Sequence, residues 1–550
     1  NMHLADEKTL IEKFTSELQF SRFQRGLAIN KAKQLIDDIR ADNKPALLEV
    51  FLAEYGLSTE EGVALMCMAE ALMRTPDNNN IDELIDDKIA TADWQSHRGQ
   101  SESMLVNSST LGLMVTGKIL SENSAFGRVI SSAVKRVGKP IIRLAIKRAM
   151  KELGGQFVLG ETIEAAVKRA NKQVKAGYSY SYDMLGEAAL TRQDAHKFFD
   201  AYKQAIECLA AQSTRDEVAE NPGISIKLSA LHPRYEVGQK QRVMKELVSS
   251  TLQLTLMAKN ANLGLNIDAE ESDRLDLSLD VIEAVLQDKR LAGWDGFGVV
   301  VQAYGKRAGL VIDWLEALAQ KYNRKIMVRL VKGAYWDTEI KRSQVEGLSD
   351  FPVFTQKSAT DCSYLYCAEK LLNKTRHIYP QFATHNANTI AAILTMAGEE
   401  TRFEFQRLHG MGEALHRLVK QKDNVRCRIY APVGPHKDLL AYLVRRLLEN
   451  GANSSFVNQI VDSSVPAADM AEDAFMKAKV DLESASGSVS MPNALFGIER
   501  ANSKGWDLRD ECDKQIIENA RGAFRTHQWA VAPITARPIT NGIPKVIKNP

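Results

Sequence analysis

Between residues 180 and 431, eight short apolar or β-branched runs, at 180–185, 224–229, 265–269, 299–303, 326–332, 382–385, 403–408 and 427–431, alternate mostly with stretches of helical period. The helical stretches include 191–211, opened by the capping pattern Thr191-x-x-Asp194, then 241–259, 277–287 and 308–322. Eight strands with intervening helices over roughly 270 residues match an α/β fold of the (β/α)8 type, a TIM-like barrel, better than an open doubly wound sheet. The dinucleotide fingerprint of the open sheet is also missing, since no G-x-G-x-x-G follows a strand.

A barrel of this kind builds its active site from the C-terminal ends of its strands. Polar residues collect there: Glu187 after the first run, then Lys227, Asp268 with Glu270 and Glu271, Gln302, the stretch from Arg329 to Tyr335, His385 with Asn386, Gln406 to His409, and Tyr430. Any one of these could be a satisfied buried group, but charged or amide side chains at almost every strand end point to an active site. No G-x-S-x-G elbow is present, and His232, His385, His409, His416 and His436 show no ligand spacing, so neither a serine nucleophile nor a metal is expected. What the ring offers is cationic: Lys227, Arg329, Lys332, Arg445 and Arg446, with Asp268 and Glu187 as counter-charges. Such a cluster needs an anion, and Arg445, Arg446 and Lys227 suit a substrate carboxylate, leaving the others for a large anionic cofactor. Tyr335, Leu408, Tyr430 and Tyr442 would wall a small apolar pocket beside it.

Two of these cations come from residues 437–451, read as a helix closed by Asn450-Gly451. Leu439, Leu440, Leu443, Val444, Leu447 and Leu448 form its apolar face, while Tyr442, Arg445, Arg446 and Glu449 project from the other. Upstream, residues 1–37 read as a polar helical arm that needs a neighbour, and 38–155 as an all-helical domain. The basic stretch 128–153 could pair with acidic neighbours or lie on anionic lipid. Residues 156–480 would be the barrel and 481–550 a helix and linker. A formal charge of +2 gives no global pull toward nucleic acid, and six scattered cysteines without C-x-x-C read as free thiols of a reducing compartment. No secretory signal or run of eighteen apolar residues is visible.

The stretches 178–189 (YSYSYDMLGEAA), 224–235 (ISIKLSALHPRY), 329–337 (RLVKGAYWD) and 383–386 (ATHN), with the element at 430–450, closely resemble proline dehydrogenase, and more narrowly the flavin domain of bacterial proline utilization A. The resemblance covers roughly residues 1–500. It implies FAD, oxidation of L-proline to Δ1-pyrroline-5-carboxylate as the first step of proline catabolism, and a membrane quinone as electron acceptor. By the same resemblance Lys227, Arg445 and Arg446 clamp the proline carboxylate, Tyr335, Leu408, Tyr430 and Tyr442 enclose its ring, Asp268 lies near flavin and amine, and Glu187 pairs with Arg445 as a gate. Positions matching those that hold FAD are Gln302, Arg329, Val331, Lys332, Gly333, Ala334, Trp336, Thr355, Lys357, Thr384, His385, Asn386, Gln406, Arg446 and Glu449, with Asp268 alongside.

Two departures from the family pattern shape the remaining expectations. Residues 1–40 show no ribbon-helix-helix unit, so no nucleic acid partner is expected. Residues 493–550 resemble the linker into an aldehyde dehydrogenase half that is absent beyond them, so the chain is expected to be a truncated piece. The expected location is cytoplasmic, peripheral at the inner face of the cytoplasmic membrane. A different chemistry competes, in which Lys227 or Lys332 is the Schiff-base lysine of an aldolase without flavin. A catalytically dead scaffold is disfavoured because Asp268, Arg329, Arg445 and Arg446 all remain.

Overall fold

The computed structural model describes residues 2–41, 157–435, 460, 465–484 and 489–529. Eight strands, β1 (Ser179–Met184), β2 (Gly223–Ile226), β3 (Gly264–Ile267), β4 (Phe297–Gln302), β5 (Ile326–Val331), β6 (Ile378–Ala383), β7 (Glu404–Leu408) and β8 (Arg426–Val433), succeed one another around a closed barrel. Every neighbouring pair is parallel, including the closing pair, where Ser181 of β1 stands opposite Tyr430 of β8. Parallel closure needs a crossover after each strand, and helices such as Arg192–Ala210, Lys240–Asn260, Leu275–Leu286 and Ala308–Tyr322 supply it. The first of these starts with the capping box read from the sequence, the Thr191 hydroxyl accepting from the Asp194 amide and the Asp194 carboxylate from the Thr191 amide.

Two runs are displaced from their expected limits, each for a local reason. β6 begins at Ile378, four residues before the run at 382, because Pro380 and Gln381 punctuate the apolar pattern; the proline nonetheless sits in register with Val328 of β5. β2 stops at Ile226, and the chain turns through Lys227, in extended conformation, into a single helical turn, Leu228–Leu231.

The barrel interior departs from the usual filling by branched aliphatics. Near its N-terminal end Arg428 donates to Glu404 from Nε (2.7 Å) and Nη2 (3.1 Å), while Gln381 and Gln406 donate to the same carboxylate at 2.9 and 2.8 Å. Asn266 extends the network to Gln381 at 3.0 Å. A Cβ on Gly298 would meet the Asn266 amide at 2.4 Å, so the glycine on β4 makes room for this polar layer. A buried ion pair satisfied on all sides holds geometry well, and removing one partner costs about 3–5 kcal/mol.

The arm does not stand alone. α1 (Glu7–Glu17) buries Leu10, Ile11 and Phe14, and Phe14 stacks on Tyr366 with ring centroids 4.3 Å apart. α2 (Arg22–Ala41) runs past the expected limit at 37 and packs along the barrel helix Ala387–Ala397. The helical domain expected at 38–155 lies outside the described residues from 42 onward, as do the basic stretch 128–153 and the helix carrying Tyr442, Arg445, Arg446 and Glu449. Among the described residues no helix is long and apolar enough to cross a membrane.

Candidate active site

Four of the expected residues meet at the C-terminal mouth of the barrel. Asp268 comes just after β3 and is the hub: its Oδ1 accepts from Arg329 Nη1 at 3.0 Å, and its Oδ2 accepts from the Tyr430 hydroxyl at 3.0 Å and faces Lys227 Nζ at 3.3 Å. Arg329 on β5 is fixed from below, since Nη2 donates to Ser181 and Ser225, each at 3.0 Å, and its guanidinium lies over the Tyr430 ring 5.0 Å from the centroid. Lys227 makes its shorter contact, 2.7 Å, to Asp183 at the end of β1. Burial opposes the Lys227 charge, but Asp183, Tyr430 and Asp268 together outweigh it and hold the ammonium well above the usual lysine value. Burial likewise pushes the Tyr430 phenol far up, so it stays a hydrogen-bond donor to Asp268.

Asp183, Ser181 and Ser225 were not singled out in the sequence, although all three lie in the motif stretches or strand runs. Their signal is the period of two: on β1 and β2 they alternate with the buried Tyr180, Tyr182, Ile224 and Ile226, which places them toward the barrel axis.

Among the described residues, three buried polar atoms on β4, β5 and β7 have no hydrogen-bond partner: Gln302 Oε1, Arg329 Nε and Gln406 Oε1. Gln302 is held by its other end, Nε2 donating to the Glu270 carbonyl at 2.7 Å. Buried polar groups left open in this way are what a bound polar ring would satisfy. After β5 the chain runs through Val331, Lys332, Gly333 and Ala334 to Tyr335 and the helix Trp336–Glu346. Gly333 takes φ +145°, and a Cβ there would lie 2.5 Å from the Tyr304 ring. Trp336 is tied down through Nε1 to the Phe354 carbonyl at 2.8 Å.

A cationic group lies next to this segment. Lys332 and Lys357 share the carboxylate of Asp361, Lys357 at 3.3 Å. Burial would raise the Asp361 carboxyl, but the two ammonium groups overcome it and hold it below the usual range. Two cations on one buried carboxylate leave a local positive charge at the edge of a cleft whose lining also holds Asp469, Glu472, Asp473 and Asp481 beside Arg25 and Lys477. That cleft is shared by the arm, the helix Lys357–Leu372, Asn386 and the helix Ala474–Glu483. Thr355, expected at the cofactor, gives its amide and hydroxyl to Glu7 of the arm.

On the β6–β7 side the segment Thr384-His385-Asn386 is pinned three ways. The Thr384 carbonyl lies 2.9 Å from His416 Nε2, His385 Nε2 accepts from the Leu408 amide at 3.0 Å, and Asn386 caps the helix Ala387–Ala397 by accepting from Asn388 N at 2.8 Å. Burial drives the His416 imidazole down to about 4, so it is neutral there. Leu408 and Tyr430 pack against an apolar cluster that includes Phe157 and Met411. Glu187 sits in the loop after β1, where Ala188 takes a left-handed φ of +50° and both Ala188 and Ala189 donate to Ser229, at 2.9 Å each. Its expected partner Arg445 lies outside the described residues.

Among the described residues no group of three or more His, Cys, Asp or Glu is placed to hold a metal ion. Residues 166–459 match the family model described as "Proline dehydrogenase", and residues 47–157 the one described as "DNA-binding domain of Proline dehydrogenase". The second description stands beside the expectation of no nucleic acid partner. The chain is 47% identical over 540 residues to the bifunctional protein PutA of Klebsiella aerogenes, and equally so to that of Escherichia coli. Each match takes in 95% of this chain and 41% of the relative, so the chain spans about two-fifths of their length. A solved Bradyrhizobium japonicum proline utilization A superposes with a TM-score of 0.75 at 45% identity, covering 95% of this chain and 53% of that one. With the barrel, its polar mouth and a family match over more than half the sequence, the chain belongs to the proline dehydrogenase family.

Proposed function

We propose that the chain oxidises L-proline to Δ1-pyrroline-5-carboxylate with FAD as its cofactor, the first step of proline catabolism. The observation that carries this reading is the Asp268–Arg329–Tyr430–Lys227 network set beside the open acceptors of Gln302 and Gln406. FAD fits the residues present: the open atoms match a ring that both donates and accepts hydrogen bonds, and the net positive charge at Lys332, Lys357 and Asp361 matches a pyrophosphate. When bound, the flavin supplies a two-electron acceptor for hydride.

The protein's own contribution is orientation and charge. Lys227, with Arg445 and Arg446, would take the substrate carboxylate, and Tyr335, Leu408, Tyr430 and Tyr442 would enclose the ring and keep water out. Hydride leaves the ring carbon next to nitrogen with its electron pair, the nitrogen lone pair closes the C=N bond, and the N–H proton departs. Asp268, bound by Arg329 and Tyr430 and facing Lys227, keeps these three groups at fixed separations, and Arg329 would supply a positive charge to stabilise a reduced, anionic acceptor. Electrons would then pass to a membrane quinone, with the protein peripheral at the inner face of the cytoplasmic membrane.

The aldolase reading needs a neutral amine. Lys227 lies between two carboxylates that hold it protonated, which disfavours it as a Schiff-base nucleophile. An anaerobic absorbance spectrum decides between the two: a yellow protein bleached by L-proline supports the flavin reading, whereas a colourless preparation that takes up no added FAD sinks it.

A further inference from the structure

The arm places a carboxylate directly beside the proposed cofactor cleft. Glu7, in the first turn of α1, accepts from the Thr355 amide on both carboxylate oxygens (3.2 and 3.0 Å), from the Thr355 hydroxyl (2.8 Å) and from the Gln356 amide (3.2 Å). These donors open the helix Lys357–Leu372, whose own N-cap residue, Gln356, makes no side-chain cap. A carboxylate some 350 residues away in sequence therefore does the capping, with the charge that a helix N-terminus favours. Glu7 is held in place in turn. Asp6 caps α1 through the Thr9 amide at 2.8 Å, and Phe14 stacks on Tyr366 of the very helix that Glu7 caps. The capped turn bears Lys357 and, one turn on, Asp361, which collects Lys332 as well. Further along the arm, Arg25 pairs with Asp473 at 2.9 Å and so closes the cleft from the side of the helix Ala474–Glu483.

We propose that Glu7 is a positioning residue for the flavin nucleotide: from the arm it caps the helix Lys357–Leu372 and so sets Lys357 and Asp361 where the phosphates bind. The inference rests on the FAD reading given above. It assigns Thr355 a role through Glu7 in place of direct contact with the cofactor, because its amide and hydroxyl are already engaged by a docked helix. Without Glu7 the Thr355 amide and hydroxyl and the Gln356 amide, just ahead of the first turn, lose their partner, the start of the helix frays, and Lys357 no longer presents a fixed charge.

The test uses the full chain as wild type, Glu7→Ala and Glu17→Ala. Glu17 accepts from the Tyr366 hydroxyl at 2.6 Å, so its loss loosens α1 on the same barrel helix without touching that helix's N-terminus. Each protein is stripped of flavin and titrated with FAD, turnover is expressed per bound flavin, and amide exchange is monitored at Thr355 and Gln356. Glu7→Ala is expected to raise the FAD Kd about tenfold, to leave turnover per flavin unchanged and to speed exchange of the two amides. Glu17→Ala should stay within about twofold of wild type in Kd. An unchanged Kd in Glu7→Ala overturns the proposal, and so do equal losses in both variants, which would reduce the contact to general docking of the arm. Wild type that binds no FAD overturns the functional reading itself, a result separate from either of these.

Discussion

At the scale of single residues, the sequence carries the chemistry but not the wiring. Asp268, Arg329, Lys227 and Tyr430 are each legible as a polar group ending a strand, yet nothing in their spacing says that Asp268 joins the other three. Contacts across the barrel mouth depend on register and tilt, which no local pattern encodes. Tyr430 is a case in point. Its ring lies under the Arg329 guanidinium and its hydroxyl on Asp268, with Leu408 in the same apolar cluster. Tyr430→Ser should open space against the substrate ring and leave a small hydroxyl, raising the ratio of hydroxyproline to proline kcat/KM while lowering turnover of proline itself. An unchanged ratio would remove Tyr430 from the pocket. The companion variant Tyr430→Phe keeps the ring and deletes the donor to Asp268; hydroxyproline discrimination should hold, with a loss in kcat/KM for proline of about tenfold, as expected for one hydrogen bond to a charged group.

At the scale of elements, strands and helices were readable to within a few residues wherever periodicity was clean, as in Ala308–Tyr322, and slipped where a polar or cyclic residue interrupted a buried run, as at Pro380 in β6. The helix carrying Tyr442, Arg445, Arg446 and Glu449 lies outside the described residues, so its test is kinetic. On a solvated face, replacing either arginine by Met removes a surface ion pair of roughly 0–1 kcal/mol. In a desolvated carboxylate clamp the loss is about 3–5 kcal/mol, a fall in kcat/KM on the order of a hundredfold to a few thousandfold. Arg446→Met should also lower flavin content, whereas Arg445→Met should act chiefly on proline and on the pairing with Glu187. Losses under about fivefold in both variants would return this helix to the surface.

For the whole molecule, the arm is the part the sequence left most open, because a polar amphipathic helix does not name the surface it will bury against. On the barrel itself, two buried titratable groups make opposite demands on pH. Glu270, behind the mouth, accepts from Ser229 N at 3.1 Å and lies 3.3 Å from Arg274, but burial prevails and raises its carboxyl to about 7. Because the folded state binds this proton more tightly than the unfolded chain, the Glu270 contribution is fully present below the unfolded value and is lost as pH rises toward about 7. His416 is the reverse case. Its folded value near 4 lies below the unfolded one, so its contribution is present above the ordinary histidine range and is lost as pH falls toward about 4. Within the window of about pH 4.5–6.5 the two slopes oppose each other, and the single variants should separate them. Relative to wild type, Glu270→Gln should gain stability as pH is raised from about 4.5 to 7, and His416→Gln should gain it as pH is lowered from about 6.5 to 4, each by roughly 3 kcal/mol at most across its window. Thermal unfolding of the three proteins at half-unit steps of pH reads this directly. Difference curves that run parallel to the pH axis would show that neither group changes its proton affinity on folding, and curves that slope the same way would contradict the assignment of one of them.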